Sequence, residues 1–247
     1  MKYRGYLFDL DGTLYRGDTA IDGAVAKVRE LHEQGAIVKY VTNNSTQTLA
    51  HFTAKLTAMG FPCQREDVMS SAVGSARYLV EQKVKSAFIV GEPGLAETLR
   101  DYGIHVTTEG ETEAVVVGLC RQFTYAWMEE AMTRIRAGAH FVATNPDATY
   151  PMEGGRLIPG AGSVVAAVRT CAGVEPFVIG KPKRFLIDEI LADAGLKPDE
   201  TVVVGDRIDT DIESGQAAGC ATFLVLTGVE TVIPVGQDGA PDLSGLP

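Results

Sequence analysis

The sequence predicts an α/β protein: a doubly wound, parallel-sheet (Rossmann-like) core with a second α/β domain inserted into it. Three observations carry the prediction. Short apolar runs of strand type alternate with amphipathic stretches of helical period along the whole chain, the pattern of a parallel sheet covered by helices. Helical stretches stop at a glycine or a turn, as in Gln34-Gly35, Met59-Gly60 and Ala194-Gly195, where a left-handed residue ends a helix at little cost. Residues capable of chemistry follow strands directly, where such sheets bind ligands. Two of them, Thr42 and Lys181, stand 139 positions apart, far more than a core of this kind needs.

Strands are expected at residues 6–10, 37–41, 87–90, 114–118, 141–143, 177–179, 201–204 and 222–226, each a near-continuous run of branched and aromatic residues. Helices are expected between them at 24–34, 46–59, 72–82, 95–101, 125–137, 162–172, 184–194 and 209–218. There is no internal repeat and no low-complexity segment. Residues 235–247, rich in Gly, Asp and Pro, are expected to pack loosely.

Composition sets limits on function. The 247 residues suffice for one large domain or two smaller ones, and 45 % hydrophobic with 22 % charged residues is ordinary for a soluble protein. Lys and Arg number 22 against 32 Asp and Glu, a net charge of −10. That excess disfavours a nucleic-acid polymer or an anionic membrane as partner. A phosphate ester would have to be attracted locally, by a metal, a lysine and helix N-termini. No apolar run approaches about 18 residues, so no membrane span is expected. The N-terminus begins with charge and runs straight into Asp9, so no signal peptide is expected and a cytoplasmic location is. Cys63, Cys120, Cys171 and Cys220 form no CxxC pair and read as buried free thiols of a reducing compartment. His32, His51, His105 and His140 lie outside every motif and read as structural.

The chemistry begins at Tyr6-Leu7-Phe8-Asp9-Leu10-Asp11-Gly12-Thr13-Leu14-Tyr15. Alternate residues of a strand share a face, so Asp9 and Asp11 are expected to crowd the strand end together. Like charges there need a cation, a proton or hydrogen bonds to offset them. The chemical reading is a carboxylate nucleophile, Asp9, beside a proton-carrying carboxyl, Asp11, with a hard divalent metal between them. An acidic turn at a strand end is the plain alternative. After the second strand, Thr42-Asn43-Asn44-Ser45 offers four hydrogen-bonding side chains at a strand-to-helix turn, suited to phosphate oxygens. Asn44 or Ser45 also reads as the cap of the 46–59 helix. After residues 177–179 comes Gly180-Lys181-Pro182-Lys183, a lysine able to neutralise a phosphoryl group and Asp9 together. After residues 201–204 comes Gly205-Asp206-Arg207-Ile208-Asp209-Thr210-Asp211. Its Asp206 and Asp211 are oxygen ligands of the kind Mg²⁺ prefers, although helix capping also accounts for Asp209 to Asp211.

In order along the chain, DLDGTLY, VTNNS, GKP and VGDRIDTDI resemble the four motifs of the haloacid dehalogenase-like (HAD) superfamily of phosphoryl-transfer enzymes. The similarity covers essentially the whole chain. It is greatest to subfamily IIA, with NagD-like nucleotide phosphatases, p-nitrophenyl phosphatases and eukaryotic pyridoxal and phosphoglycolate phosphatases. The resemblance implies that Asp9 attacks phosphorus and that Asp11 protonates the leaving oxygen and then activates water. Thr42, with Asn43 and Asn44 nearby, and Lys181 would hold the phosphoryl group. Mg²⁺ would be held by Asp9, the backbone carbonyl of Asp11 and Asp206, with Asp211 acting on water at the metal or orienting Lys181. The dehalogenases of the superfamily lack the second aspartate, so the presence of Asp11 disfavours that activity.

Spacing locates the inserted domain. Asp9 and Thr42 are 33 positions apart, room for a flap, one helix and a strand. The insertion therefore lies between Thr42 and Lys181: residues 79–178 as an α/β class II cap, with residues 1–78 and 179–247 as the catalytic core. Within the cap, the loop from Ala143 to Pro151 resembles the family segment that reaches the active site, which makes Asn145, Asp147 and Tyr150 candidate readers of the leaving group. The expected function is Mg²⁺-dependent hydrolysis of small phosphomonoesters, such as nucleoside monophosphates or sugar phosphates, by a monomer or homodimer. A phosphatase dedicated to one metabolite or a phosphomutase is the alternative within enzymes, although mutases carry their cap between the first two motifs. A phospho-accepting signalling receiver module uses similar residue types, but it is about half this length and lacks DxDGT.

Overall fold

The computed structural model describes residues 2–151 and 156–247. It separates into two compact units. The first comprises Met1–Thr42, Leu49–Met69 and Lys181–Pro247, and the second Asn43–Thr48 and Ser70–Gly180. Along the chain the first unit contributes β1 (Gly5–Phe8), the hairpin β2 (Tyr15–Arg16) and β3 (Thr19–Ala20), α1 (Ala24–Glu33), β4 (Ile37–Thr42), α2 (Leu49–Met59) and β5 (Val68–Ser70). The second runs through α3 (Ser71–Glu81), β6 (Ser86–Val90), α4 (Pro93–Asp101), β7 (His105–Val106), β8 (Ala114–Val117), α5 (Tyr125–Arg136) and β9 (His140–Ala143). It continues through β10 (Thr149–Pro151), β11 (Leu157–Pro159), α6 (Ala161–Ala172) and β12 (Phe177–Val178). The first unit then resumes with α7 (Phe185–Ala194), β13 (Thr201–Gly205), α8 (Glu213–Ala217), β14 (Ala221–Val225) and β15 (Gly239–Ala240).

The sheet of the first unit has the order β15-β14-β13-β1-β4-β5. Strand β1 lies inside it, parallel to β13 on one side and β4 on the other. Tyr6, Leu7 and Phe8 are fully buried, which accounts for an apolar run without alternation. The chain leaves β1 toward β4 and returns later to β13, so the strand order reverses at β1. The ends of β1 and β13 therefore flank a switch point, the place where open parallel sheets bind ligands.

The second unit is built on a parallel sheet of order β12-β9-β8-β6-β7. Its centre, β8, is Ala-Val-Val-Val, and all four residues are buried. Phe88, Val115, Val117, Ile135, Phe141, Val165 and Val168 share one core beneath α5 and α6. Arg134 of α5 is buried over the Phe88 ring at 4.8 Å. It donates to the carbonyls of Thr108 and Gly110 and to the Thr112 hydroxyl, tying down the 107–113 connection. Strands β10 and β11 form a separate antiparallel pair. No helix among the described residues is long and apolar enough to cross a membrane.

Several expectations are corrected. The strand before Lys181 pairs with β9 and so belongs to the second sheet, and Lys181 enters the first unit without a core strand to carry it. The helix expected at 46–59 starts at Leu49. Asn44 does not cap it, because its Oδ1 accepts from the Thr46 N–H and hydroxyl and closes a local turn instead. The helix expected at 209–218 is a π-helical turn, Ile208–Ile212, followed by α8. The C-terminal tail is not loosely packed. Strand β15 pairs with β14, Leu243 and Leu246 are buried, and the Tyr6 hydroxyl donates to the Pro247 carbonyl at 2.7 Å. Cys63, Cys120 and Cys220 are buried free thiols as read, but Cys171 is only half-buried.

The tail makes one testable demand. Leu246→Ala is expected to cost about 2–4 kcal/mol, the range for truncating a buried leucine, measured as a fall in the urea midpoint by circular dichroism. An unchanged midpoint would return the tail to a loose appendage.

Candidate active site

The first unit gathers four side chains from three distant stretches of the chain into one buried cluster. Lys181 Nζ lies 2.6 Å from Asp9 Oδ1 and 2.6 Å from Asp211 Oδ1, and it is only 2 % exposed. Carboxylate oxygens of Asp9, Asp206 and Asp211 all lie within 4.8 Å of one another. Each arrives by a local device. Asp9 follows β1, and its N–H extends the ladder to Val204 at 2.9 Å. Asp206 follows β13. Asp211 stands in the π-helical turn, its N–H on the Arg207 carbonyl at 3.1 Å and its Oδ2 accepting from the Arg207 N–H at 3.1 Å. Gly205 makes the close approach possible, since a Cβ there would lie 2.2 Å from that of Asp211.

Electrostatics follow from burial. Removal from water pushes the Asp9 carboxyl well above the ordinary carboxylate range, with Lys181 pulling it down and Asp211 and Asp206 pushing it further up. Burial and the neighbouring Asp211 push Asp206 up to about 7. Burial opposes the charge on Lys181, yet Asp211 and Asp9 prevail and hold its proton more tightly than in an ordinary lysine. With all three carboxyls ionised, one ammonium would leave two negative charges away from water. A divalent cation would balance them, and an all-oxygen donor set is the kind Mg²⁺ accepts, so the residues fit that metal.

Asp11 contributes no carboxylate oxygen to this cluster. Strand geometry ends at Phe8, and the chain turns so that the Leu14 N–H reaches the Leu10 carbonyl at 2.9 Å and the Gly12 N–H the Tyr15 carbonyl at 2.8 Å. The alternation argument that put Asp9 and Asp11 on one face therefore does not apply. Burial raises the Asp11 carboxyl, opposed by Lys55, Lys181 and Tyr15. Lys55 was not singled out in the sequence. It extends from α2 to 4.3 Å from the Tyr15 ring centre and 3.3 Å from Asp18, and only a helix-to-hairpin contact reveals it. Thr42, the last residue of β4, is buried.

The remaining candidates assemble within the second unit. Asn43 Nδ2 donates to Asp147 Oδ2 at 3.1 Å, and Asn145 Nδ2 donates to the Asn43 carbonyl at 2.8 Å. That carbonyl also accepts from Ser71 Oγ at 2.6 Å. Asn44 Nδ2 stands 3.4 Å from the Tyr150 hydroxyl. Asn43 and Asn44 are thus hydrogen-bonded to Asn145, Asp147 and Tyr150, the residues read as choosing the leaving group. All four histidines are exposed.

Comparison with known proteins agrees with this architecture. The model of the haloacid dehalogenase-like hydrolase family matches residues 6–105, and a HAD-hydrolase-like model matches residues 178–243. An acid sugar phosphatase of Staphylococcus aureus is 39 % identical over 241 residues, 97 % of this chain and 93 % of that protein. A p-nitrophenyl phosphatase from Archaeoglobus fulgidus superposes with a TM-score of 0.93 at 32 % identity, covering 99 % of this chain and 98 % of the other. A glycerol phosphate phosphatase from Mycobacterium tuberculosis, solved in complex with magnesium, gives 0.88 at 36 % identity over 99 % of this chain and 76 % of its own. With identity of this order along nearly its full length, the chain belongs to the haloacid dehalogenase-like hydrolases.

Proposed function

We propose that this protein is a Mg²⁺-dependent phosphatase of small phosphomonoesters that works through a phosphorylated Asp9. The observation that carries the reading is the buried Lys181 ammonium held between Asp9 and Asp211 beside Asp206. It supports a carboxylate nucleophile at Asp9, in a site whose carboxyls call for a cation. Sugar phosphates and polyol phosphates are the substrate class, by similarity to the acid sugar phosphatase and the glycerol phosphate phosphatase.

In this mechanism an Asp9 carboxylate oxygen attacks phosphorus in line with the ester oxygen. The P–O ester bond breaks, and the leaving alkoxide takes the proton of Asp11, whose raised affinity for it suits a general acid. Lys181 and Thr42 hold the transferring phosphoryl oxygens. Asp211, with one oxygen on Lys181 and the other on the Arg207 N–H, orients the lysine. Asp11, now a carboxylate, takes a proton from water, whose oxygen attacks phosphorus and releases Asp9 and inorganic phosphate. Asp9, Asp206 and the Asp11 carbonyl are the residues that would hold Mg²⁺. When bound, the metal supplies charge neutralisation for nucleophile and phosphoryl group. Asn145, Asp147 and Tyr150 are assigned to selection of the leaving group. The hydrogen bonds that order this loop, rather than any bound substrate, support that assignment.

Asp9→Asn keeps the shape and removes the attacking charge. Turnover is expected to fall to background on p-nitrophenyl phosphate and on a panel of sugar, polyol and nucleoside phosphates, with the circular dichroism spectrum unchanged. Substantial hydrolysis by the variant would place the nucleophile elsewhere.

The leaving group separates the roles of the two motif-one aspartates. Aryl oxides leave without protonation, whereas sugar alkoxides need it. Asp11→Asn is therefore expected to slow single-turnover phosphorylation of Asp9 by a sugar phosphate far more than by p-nitrophenyl phosphate. Equal losses would reduce Asp11 to a positioning role.

Metal and pH are linked through Asp206. Its carboxyl rises from 3.8 to about 7 on folding, so the metal-free folded state binds a proton that the unfolded chain releases. Its contribution to stability is thus present below 3.8 and is lost as pH rises toward about 7. Saturating Mg²⁺ is expected to remove this loss, because metal competes with the proton. Melting temperatures across that window, in chelator and in Mg²⁺, test this. Superimposable profiles would remove Asp206 from the metal site.

A further inference from the structure

One segment outside the four motifs binds parts of the first unit that the proposed chemistry needs held in register. Thr227-Gly228-Val229 follows β14. The Thr227 hydroxyl donates to the Gly12 carbonyl at 2.7 Å. The Val229 N–H donates to Asp206 Oδ2 at 2.7 Å, and the Glu230 N–H to the Asp206 carbonyl at 3.2 Å. Between them Gly228 lies so close that a Cβ would stand 1.9 Å from Asp206 Oδ2. Gly12, at a φ of +91°, approaches the same oxygen, where a Cβ would stand 2.6 Å from it and 3.1 Å from the Gly228 Cα. Two side-chain-free residues thus crowd one carboxylate, and a backbone N–H binds one of its oxygens.

The far end of the segment is held from the hairpin. Arg16 of β2 donates through Nε to the Thr227 carbonyl at 2.8 Å and through Nη2 to the same oxygen. Arg16 is exposed, so core packing does not explain this forked grip on a single carbonyl. It spans 211 positions of sequence and ends one peptide from the glycine that touches Asp206.

We propose that Thr227–Val229, anchored by Arg16, is a strap that sets the orientation of Asp206 against the Asp11-Gly12 peptide and thereby sets the affinity for a divalent cation. Arg16 and Thr227 are positioning residues in this arrangement, and neither touches the reacting atoms. The inference rests on the reading of Asp206 as a cation ligand. Partners of this kind, once removed from a metal ligand, characteristically alter affinity by roughly 10- to 100-fold.

The probe is Mg²⁺ alone, read by calorimetric titration and by the Mg²⁺-induced rise in melting temperature. Arg16→Ala and Thr227→Val are expected to weaken Mg²⁺ binding by roughly 10-fold, with metal-free melting temperatures unchanged. The Mg²⁺ concentration for half-maximal activity is expected to rise in parallel while kcat at saturating Mg²⁺ is retained. Thr227→Ser, which keeps the hydroxyl, is expected to bind as the parent protein does. Arg16→Ala also stands as the second variant should Thr227→Val fail to fold. Asp206→Asn separates the two layers of the argument. If it abolishes Mg²⁺ binding while Arg16→Ala and Thr227→Val stay within about twofold of the parent, the strap is overturned and the metal reading stands. If Asp206→Asn binds Mg²⁺ normally, the metal reading fails and the strap with it.

Discussion

The structure of the first unit turns on one ammonium group. Lys181 is almost fully buried between Asp9 and Asp211 at 2.6 Å from each. Burying such charges costs several kcal/mol per ion, and the attraction between them offsets that cost only when the geometry is good and further hydrogen bonds are made. The local backbone supplies that geometry. Gly205 admits Asp211 against β13, and the Arg207 N–H occupies the second Asp211 oxygen. Tyr6, Leu7 and Phe8 exclude water from the strand leading to Asp9. The arrangement is poor as a stabilising device, because its carboxyls, once ionised, would exceed its one positive charge. It is good as a receptor, because the missing charge is what a divalent cation brings.

The segment Asn43–Thr48 shows how adjacent residues can be committed to different units. Thr42 ends a core strand, while Asn43 spends its side chain on Asp147 and its carbonyl on Asn145 and Ser71. Gly94 and Gly118 permit this packing, since a Cβ at either would stand 2.3 Å from the Thr46 carbonyl or 2.9 Å from the Ser45 hydroxyl. Hydrogen-bonding side chains in a row thus need not serve one ligand. Here they order the loop that carries Asn145, Asp147 and Tyr150.

Legibility in the sequence followed the strength of the local signal. Strands β1, β4, β8 and β13 stood out because burial on both faces demands continuous apolar residues. Asp9, Lys181, Asp206 and Asp211 stood out because their side-chain types and spacing carry chemistry. Two-residue strands such as β7 and β15 were missed, because so few residues establish no period. The β10–β11 pair was hidden in what read as a polar loop. The tail was misjudged from its Gly and Pro content, although Leu243 and Leu246 were there to be buried. A sequence does not state which sheet a strand joins, so nothing in it shows that the strand preceding Lys181 pairs with β9. The grip of Val229 on Asp206 left no signal, since every residue but proline has an N–H.

The pairing of β1 with β13 has a consequence for the order of assembly. Gly5 meets Thr201 in register, so the sheet of the first unit cannot close until most of the chain has been made. The stretch Ser70–Gly180 of the second unit is continuous and leaves the ribosome earlier, free to bury its own core while β1 still lacks its neighbour β13. Contacts so distant in sequence are slow to form, because the loop entropy is lost before the contacts compensate for it. Asp9 precedes Lys181 by 172 positions, and Asp206 and Asp211 come later still. The charged cluster therefore cannot be completed until Lys181, Asp206 and Asp211 have followed Asp9 out of the ribosome.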